Sequence, residues 1–353
     1  MPHFQEQHLR AVTSLIVSRM GSDAEEAALV TDHLLRANLA GHDSHGVGML
    51  PIYVRLLREA LLVPNQSLQT VLDFGALLVL EAGRGFGQRM AAQAVDQAIA
   101  RAKTLGACVL GLRNSAHIGR IGTYGEQAAA AGMGFIGYVN VTDHWDISAP
   151  YACAEGRLGT NPFVTSVPGP EGPLLLDMAT TTIAAGKARV ARNKGQNVPS
   201  GCLLDANGQP TEDPTPFIDE RIGALTTFGA HKGSGLAVMC EIMAGAIGGG
   251  QRAGAPCHGG IVNSMFAVLV DLAPLGGAEL QGAVQSTLDH IRAARIAPGF
   301  AEILLPGEPE RRVAATRRAQ GIPVDEMSWA QIREAAASLG VTEAELEACG
   351  QKM

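Results

Sequence analysis

The sequence predicts an α/β protein of the α+β kind, with a helical lobe, a sheet lobe, and closing helices that rejoin the first lobe. Three observations support this. Up to about residue 70 apolar side chains fall at helical spacing. From there to about residue 309 short apolar runs alternate with glycine-rich turns, and after about residue 310 helical signals return. On this reading residues 1–72 and 310–353 form the helical lobe and residues 73–309 the sheet lobe. At 353 residues the chain suits two packed lobes or one large α/β unit.

Taken in order, Ser22-x-x-Glu25 has the form of a capping box. Val30, Leu34 and Leu35 follow at helical spacing until Gly41 ends the run as a C-cap. After the polar loop Gly41-His42-Asp43-Ser44-His45-Gly46, residues 53–58 read as a helix that begins behind Pro51 and stops before Pro64. Residues 76–80 then read as a strand, Gly83-Arg84-Gly85-Phe86-Gly87 as a turn, and the alanine-rich stretch beyond it as a long helix. Residues 107–112 and 135–139 read as strands on either side of a helix near residues 125–128, and residues 174–177 and 267–271 supply further strands. Ser328-x-x-Gln331 and Thr342-x-x-Glu345 mark the last helix starts.

Composition removes several functions. With 27 Lys and Arg against 34 Asp and Glu, the net charge of −7 lacks the basic excess of a phosphate-backbone binder, so no nucleic-acid partner is expected. No apolar stretch reaches the roughly 18 residues of a membrane span, and the opening Met1-Pro2-His3-Phe4-Gln5 lacks signal-peptide character, so a cytoplasmic protein without a membrane partner is expected. Six singly scattered cysteines with no C-x-x-C pair read as reduced thiols used as small core residues. Forty-three glycines beside 4% aromatic residues mean that small residues do much of the packing. Their clustering at strand–helix junctions suits backbone that approaches a ligand closely, as in an enzyme.

The turn at Gly83 falls short of G-x-G-x-x-G, because Gln88 stands where the third glycine belongs and the next strand ends in Arg113-Asn114 rather than an acid. Neither a phosphate-loop motif nor G-x-S-x-G occurs. Four histidines, His42, His45, His117 and His231, sit in glycine-flanked polar loops, whereas His33 lies within a helix and reads as a surface or satisfied core residue. His42-x-x-His45 with Asp43 has neither the H-E-x-x-H register nor cysteine partners, so no metal is expected. The glycines three apart between Asn114 and Gly125, and those around His231-Lys232-Gly233, precede helices; each serves either an anion at exposed N–H groups or close helix packing. Asp177 ends a strand, where it suits ribose hydroxyls or a helix cap.

Together these segments resemble the malate/L-lactate dehydrogenase type 2 family of NAD(P)-dependent oxidoreductases. The resemblance runs through residues 41–47, 114–122, 159–163, 177–180 and 231–233. Residues 48–51, Ala188-Arg189-Val190-Ala191 with Lys194-Gly195, and residues 304–308 look closest to its hydroxycarboxylate dehydrogenase B branch. It implies a non-Rossmann fold with a mixed, mostly antiparallel sheet, a homodimer, and a nicotinamide cofactor in a cleft completed by the partner subunit. By motif, the cofactor site it implies comprises His45, Gly119, Arg120, Ile121, Leu175, Leu176, Asp177, Met178, Ala179, His231, Lys232, Gly233, Asn263, Leu305, Pro306, Gly307 and Glu308.

The implied reaction moves hydride between nicotinamide and a 2-oxo acid or its 2-hydroxycarboxylate, and the cofactor carries that step. The acid/base is then His117, with His45 on the nicotinamide side, although an exchange of those roles stays open. Relatives place an arginine where this chain has Gly48, so Arg120 or Arg55 must capture the substrate carboxylate, with Tyr53 and Thr160 as further substrate contacts. The segment Thr142-Asp143-His144-Trp145-Asp146 also departs from the family pattern and bears on substrate size. NAD is favoured over NADP: Arg113 and Arg120 could meet a 2′-phosphate, but Asp177 beside a ribose opposes one. The alternatives are a reductase of cyclic 2-imino acids and, from another class, a hydrolase that uses Ser44 with His45 and Asp43.

Overall fold

The computed structural model describes residues 2–351. Strand β1 (His3–Phe4) leads into α1 (Glu6–Arg19) and α2 (Ala24–Leu39). The box at Ser22 is not the cap of α2: Asp23 is, its carboxylate accepting from Glu26 N at 2.7 Å, while Ser22 Oγ donates to the Glu26 carboxylate at 2.7 Å. Gly41, at φ +85°, turns the chain out of α2. Two 3₁₀ turns, Asp43–His45 and Val47–Met49, follow, and Pro51 sits in the first turn of α3 (Leu50–Arg58).

Strands β2 (Gln69–Phe74) and β3 (Leu77–Glu81) form a hairpin; α4 (Gly87–Leu105) then crosses over to β4 (Ala107–Ala116). The chain continues through α5 (Gly122–Ala130), β5 (Met133–Thr142), β6 (Phe163–Val167), β7 (Leu174–Met178) and α6 (Ala185–Asn193). A small sheet of β8 (Leu203–Leu204), β9 (Pro210–Thr211) and β10 (Ala224–Leu225) precedes α7 (His231–Cys240), which runs on as a π-helical segment, Glu241–Ile247. Then come β11 (Val262–Asp271), α8 (Gly277–Arg292), α9 (Glu308–Gln320), β12 (Ile322–Pro323), α10 (Glu326–Ser338) and α11 (Glu343–Gln351). Asp325 caps α10 in place of the box expected at Ser328, whereas Thr342 and Glu345 do form theirs, with Thr342 N donating to the Glu345 carboxylate at 2.8 Å.

The main sheet has the order β2-β3-β4-β11-β5-β6-β7, and only β3 and β4 pair in parallel. That pair needs the long α4 crossover, whereas the antiparallel neighbours need none. One core lies between α4, α5 and the sheet; a second joins α1–α3 to α10 and α11; a third, smaller one surrounds Phe217 and Val198. Cys108, Cys202 and Cys240 are buried as expected, but Cys153 and Cys257 are exposed. No helix among the described residues is long and apolar enough to cross a membrane.

The topology sets the site. β4, β5 and β7 point the same way, and β11 runs against them. His117 after β4, Asp143 after β5, Ala179 after β7 and Asn263 near the start of β11 therefore stand at one sheet edge, across from the 3₁₀ turns that carry His45.

Candidate functional site

β4 continues beyond the stretch its apolar residues predict, through Asn114 at φ +54°, and delivers His117 into a tightly held loop. Asn263 Oδ1 accepts from Ile118 N at 3.0 Å, and its Nδ2 donates to Asn140 O at 2.8 Å. Tyr124 Oη donates to Ile118 O at 2.5 Å, and the ring of His33, buried in α2, lies 3.1 Å from Arg120 O. Gly87 sits so close beneath the loop that a Cβ there would lie 2.3 Å from Ala116 O and 2.4 Å from His117 O. The bracing continues inward, because Asn140 and Asn161 both donate to the buried carboxylate of Glu241, at 3.1 and 2.8 Å, where the π-helical segment begins.

His117 Nε2 lies 3.3 Å from His45 Nδ1, and the two rings stack at 5.4 Å with planes 11° apart. On its other side, His117 Nδ1 is 2.7 Å from Tyr53 Oη, which accepts from Gln88 Nε2 at 2.6 Å. With Gln88 donating to the phenol oxygen, the phenolic hydrogen is available to His117 Nδ1. In the arrangement where the phenol donates to Nδ1, neutral His117 carries its own proton on Nε2, facing His45.

Burial holds this group uncharged. It lowers His33 to about 3, lowers His117 well below the usual histidine range, and raises the Tyr53 hydroxyl. His45 keeps some contact with solvent but is surrounded largely by protein; burial first, and then the charges of His42, Arg120 and Arg189, lower it to about 4.

The turn bearing His45 is fixed from the helical side. Asn38 accepts from Val47 N at 2.8 Å and donates to Asp43 at 2.7 Å, and Arg317 pairs with Asp43 at 2.6 and 2.9 Å. Because Asp43 faces Arg317 and Asn38 while His45 Nδ1 faces His117, the Asp43–His45–Ser44 relay of the hydrolase alternative is not formed. Ser44 instead packs against Gly186 of α6. His42 turns away from His45, to 3.6 Å from Glu310.

The other predicted residues separate into engaged and open groups. Arg120 is buried, paired with Glu126 at 2.8 Å and 3.5 Å from Asp177, yet its Nε and Nη2 have no hydrogen-bond acceptor. Asp177 caps neither the following helix nor an open turn: its carboxylate accepts from Gly122 N, at the start of α5, at 2.8 Å. Gly122 and Gly125 let α5 approach Asp177, Leu175 and Ser166. Leu175 N donates to Pro306 O at 3.4 Å, and Glu308 closes the 305–308 turn by accepting from Leu305 N at 2.8 Å, so these two predicted segments touch. Leu176 is exposed, with Met178 and Ala179 partly so beyond it.

Thr160 O accepts from Thr180 N at 3.0 Å. His231 and Lys232 are exposed at the start of α7, while Gly233 is packed against Phe228 O. Arg113 pairs with Glu81 at 2.9 Å, and Arg55 with Glu59 at 2.5 Å and with Gly259 O at 3.2 Å. In the departing segment, Asp143 is buried against Arg84 and His258, each at 2.8 Å, and Trp145 packs on Phe217 with centroids 4.9 Å apart. Gln88 and His33 were not predicted as site residues: one breaks a glycine motif, and the other lies mid-helix with nothing local to distinguish it.

Comparison with known proteins identifies the family. The family model described as malate/L-lactate dehydrogenase matches residues 4–333. Hydroxycarboxylate dehydrogenase B of Escherichia coli (strain K12) is 41% identical over 355 residues, covering 99% of this chain and 98% of that protein. An L-lactate dehydrogenase of Cupriavidus necator is 37% identical over 326 residues, covering 90% and 92%. A solved Escherichia coli structure, assigned as a malate/lactate dehydrogenase, superposes with a TM-score of 0.94 at 41% identity, covering 100% of this chain and 99% of that one. Matched over nearly its whole length in sequence and in fold, the chain belongs to the malate/L-lactate dehydrogenase family of oxidoreductases.

Proposed function

We propose that this protein transfers hydride between a nicotinamide cofactor and C2 of a 2-oxo acid or the matching 2-hydroxycarboxylate, with His117 moving the proton at the substrate oxygen. The observation that supports this most directly is the Gln88–Tyr53–His117 chain ending beside His45. Tyr53 fixes the ring and its tautomer from the Nδ1 side, which leaves Nε2 to face the cleft as the group that gives its proton to a forming alkoxide. Tyr53 is thus a positioning residue that acts through His117. His45, stacked on His117 and held neutral, lies on the nicotinamide side.

The chain's residues fit a dinucleotide. A cleft of about 700 Å³ between α2, α5, the β6–β7 turn and α9 is lined by Arg36, Arg120, Leu175, Gly307 and Arg311. The unsatisfied N–H groups of Arg120 suit a phosphate there. When bound, the cofactor supplies or accepts the hydride. Gly119, Arg120, Ile121, the 175–179 and 305–308 segments, the exposed His231 and Lys232 and the buried Gly233 would hold it, with Asn263 bracing from beneath. We favour NAD over NADP, because Asp177 adds negative charge near the ribose position, and we regard this as cofactor binding without a Rossmann fold.

We take residues 1–72 with 310–353 as one lobe and residues 73–309 as the other, on the division between the first two cores. We also infer a homodimer. Phe74 (72% exposed) and Ile136 (42%) lie on the main sheet, and Ile247 (59%) ends the π-helical segment, apolar surface that a second copy would cover. The protein works in the cytoplasm, where Cys153 and Cys257 stay reduced.

The test is oxidation of NADH and, separately, NADPH against open-chain 2-oxo acids and cyclic 2-imino acids. Turnover with open-chain acids supports the reading, turnover with cyclic imines alone transfers the protein to the imine-reductase alternative, and silence with both cofactors rejects hydride transfer. Light scattering should give the mass of a dimer; a fully active monomer would reject the shared assembly.

A further inference from the structure

We propose that Arg189 holds the carboxylate of the substrate, in place of the arginine that the chain lacks at Gly48; this rests on the hydride-transfer reading above. Helix α6 is pressed onto the turn that bears His45: a Cβ at Gly186 would lie 2.3 Å from Ser44 Cβ. Arg189 is three residues further on, on the same helix face.

What singles it out is its lack of a counter-charge. Three cationic groups bear on His45, namely His42, Arg120 and Arg189. His42 lies 3.6 Å from Glu310, and Arg120 is matched by Glu126 and Asp177. Of the other guanidinium groups near the sheet edge, Arg84 is paired with Asp143 and Arg55 with Glu59, while Arg252, beside Gly245, is exposed to water rather than buried. Arg189 is half-buried and, among the described residues, has neither an ion pair nor a hydrogen bond.

A guanidinium cannot shed its charge at ordinary pH, so withdrawing one from water without a partner is costly. Here burial lowers its proton affinity with nothing to offset the loss. A carboxylate supplies the missing charge and accepts two parallel N–H bonds from the planar fork. Its binding would also cancel the part of the Arg189 field that depresses His45, so the stacked histidines would gain proton affinity as the anion arrives.

The experiment compares wild type with Arg189→Met, Arg189→Lys and Arg189→Ala. Arg189→Met should raise KM for a 2-oxo acid by about 100-fold, with a smaller change in kcat and an unchanged NADH Kd. Arg189→Lys should fall between, and free guanidinium should partly restore Arg189→Ala. Wild type should prefer a 2-oxo acid over its methyl ester, and Arg189→Met should lose that preference. An unchanged melting temperature and NADH Kd certify the fold. A KM and an acid-over-ester preference that both survive in folded Arg189→Met overturn the assignment and leave the hydride-transfer reading standing. Calorimetric binding of oxamate gives a readout independent of turnover. If wild type is inert towards every 2-oxo acid, the parent reading fails, yet loss of oxamate binding in Arg189→Met still supports the carboxylate site, and equal binding in both proteins rejects it.

Discussion

Two walls at the sheet edge, the His117 loop and the start of α7, are built in opposite ways. On the His117 side the polar groups brace one another in a chain: Gln88 on Tyr53, Tyr53 on His117, Asn263 on Ile118, and Asn140 and Asn161 on buried Glu241. On the α7 side His231 and Lys232 stand exposed at the helix start, and Val238, Met239 and Ile242 leave apolar surface open behind them. On the function proposed above, the contrast teaches that one chain prepares the proton-transfer half of the site by itself. The other half offers cations and apolar surface that only a ligand or a second copy would occupy.

The sharpest way to break this comparison is His117→Ala. It should lower kcat by about 10²- to 10⁴-fold while NADH binding, followed by fluorescence, survives. Lost cofactor binding with normal turnover of the residual complex would move the acid/base role to His45. Next, Gly87→Ala forces a methyl group into the His117 loop carbonyls and should cost more than about 2 kcal/mol, read as a lower denaturation midpoint together with lower activity. A fully stable, active variant would show the loop to be softer than its packing implies.

Tyr53→Phe should lower kcat by about tenfold with little change in stability, since it removes one hydroxyl from His117 while keeping the ring. An unaltered rate would leave Tyr53 as packing alone.

Acid should expose the braced wall first. His33 and His45 bind protons more weakly folded than unfolded, with folded values of about 3 and 4 against an ordinary 6.5. Their contribution is complete above pH 6.5 and is lost as pH falls from there towards 4 and below, at up to about 1.4 kcal/mol per unit for each histidine. Thermal melts at pH 7, 6 and 5 should fall progressively, and His33→Gln should flatten the decline. The smallest effect belongs to the open wall: Lys232→Ala should leave stability within about 0.5 kcal/mol and weaken cofactor binding only severalfold. A large loss of stability there would mean that α7 is as rigidly tied as the loop after β4.

The same division decided what the sequence could reveal. His45 and His117 are legible because histidine in a glycine-flanked polar loop is hard to assign to packing, and the strands around residues 77–81 and 107–112 announce themselves by apolar runs between turns. Gln88 is hidden for the opposite reason: its effect is exerted through Tyr53, 35 residues away in sequence, and nothing local marks the pair. β2 escapes prediction because all six of its residues are exposed, so no alternation is written into them. Among the described residues of α8 only Leu288 is a buried apolar side chain, which leaves no stripe to read. The boxes at Ser22 and Ser328 lose to aspartates within three residues, which start the helices at other positions, Asp23 accepting from Glu26 N and Asp325 from Ser328 N.

Asp177 carries a practical consequence for assays. Because its carboxylate already occupies the first N–H of α5, inorganic phosphate or sulfate from the buffer finds no vacant anion seat at that helix start. Buffer ions that slow the enzyme should therefore act at Arg120, at the unpaired Arg189 or at the exposed Lys232. Comparing inhibition in phosphate and in a zwitterionic buffer would report on those cationic groups, with no background from the helix start beside Asp177.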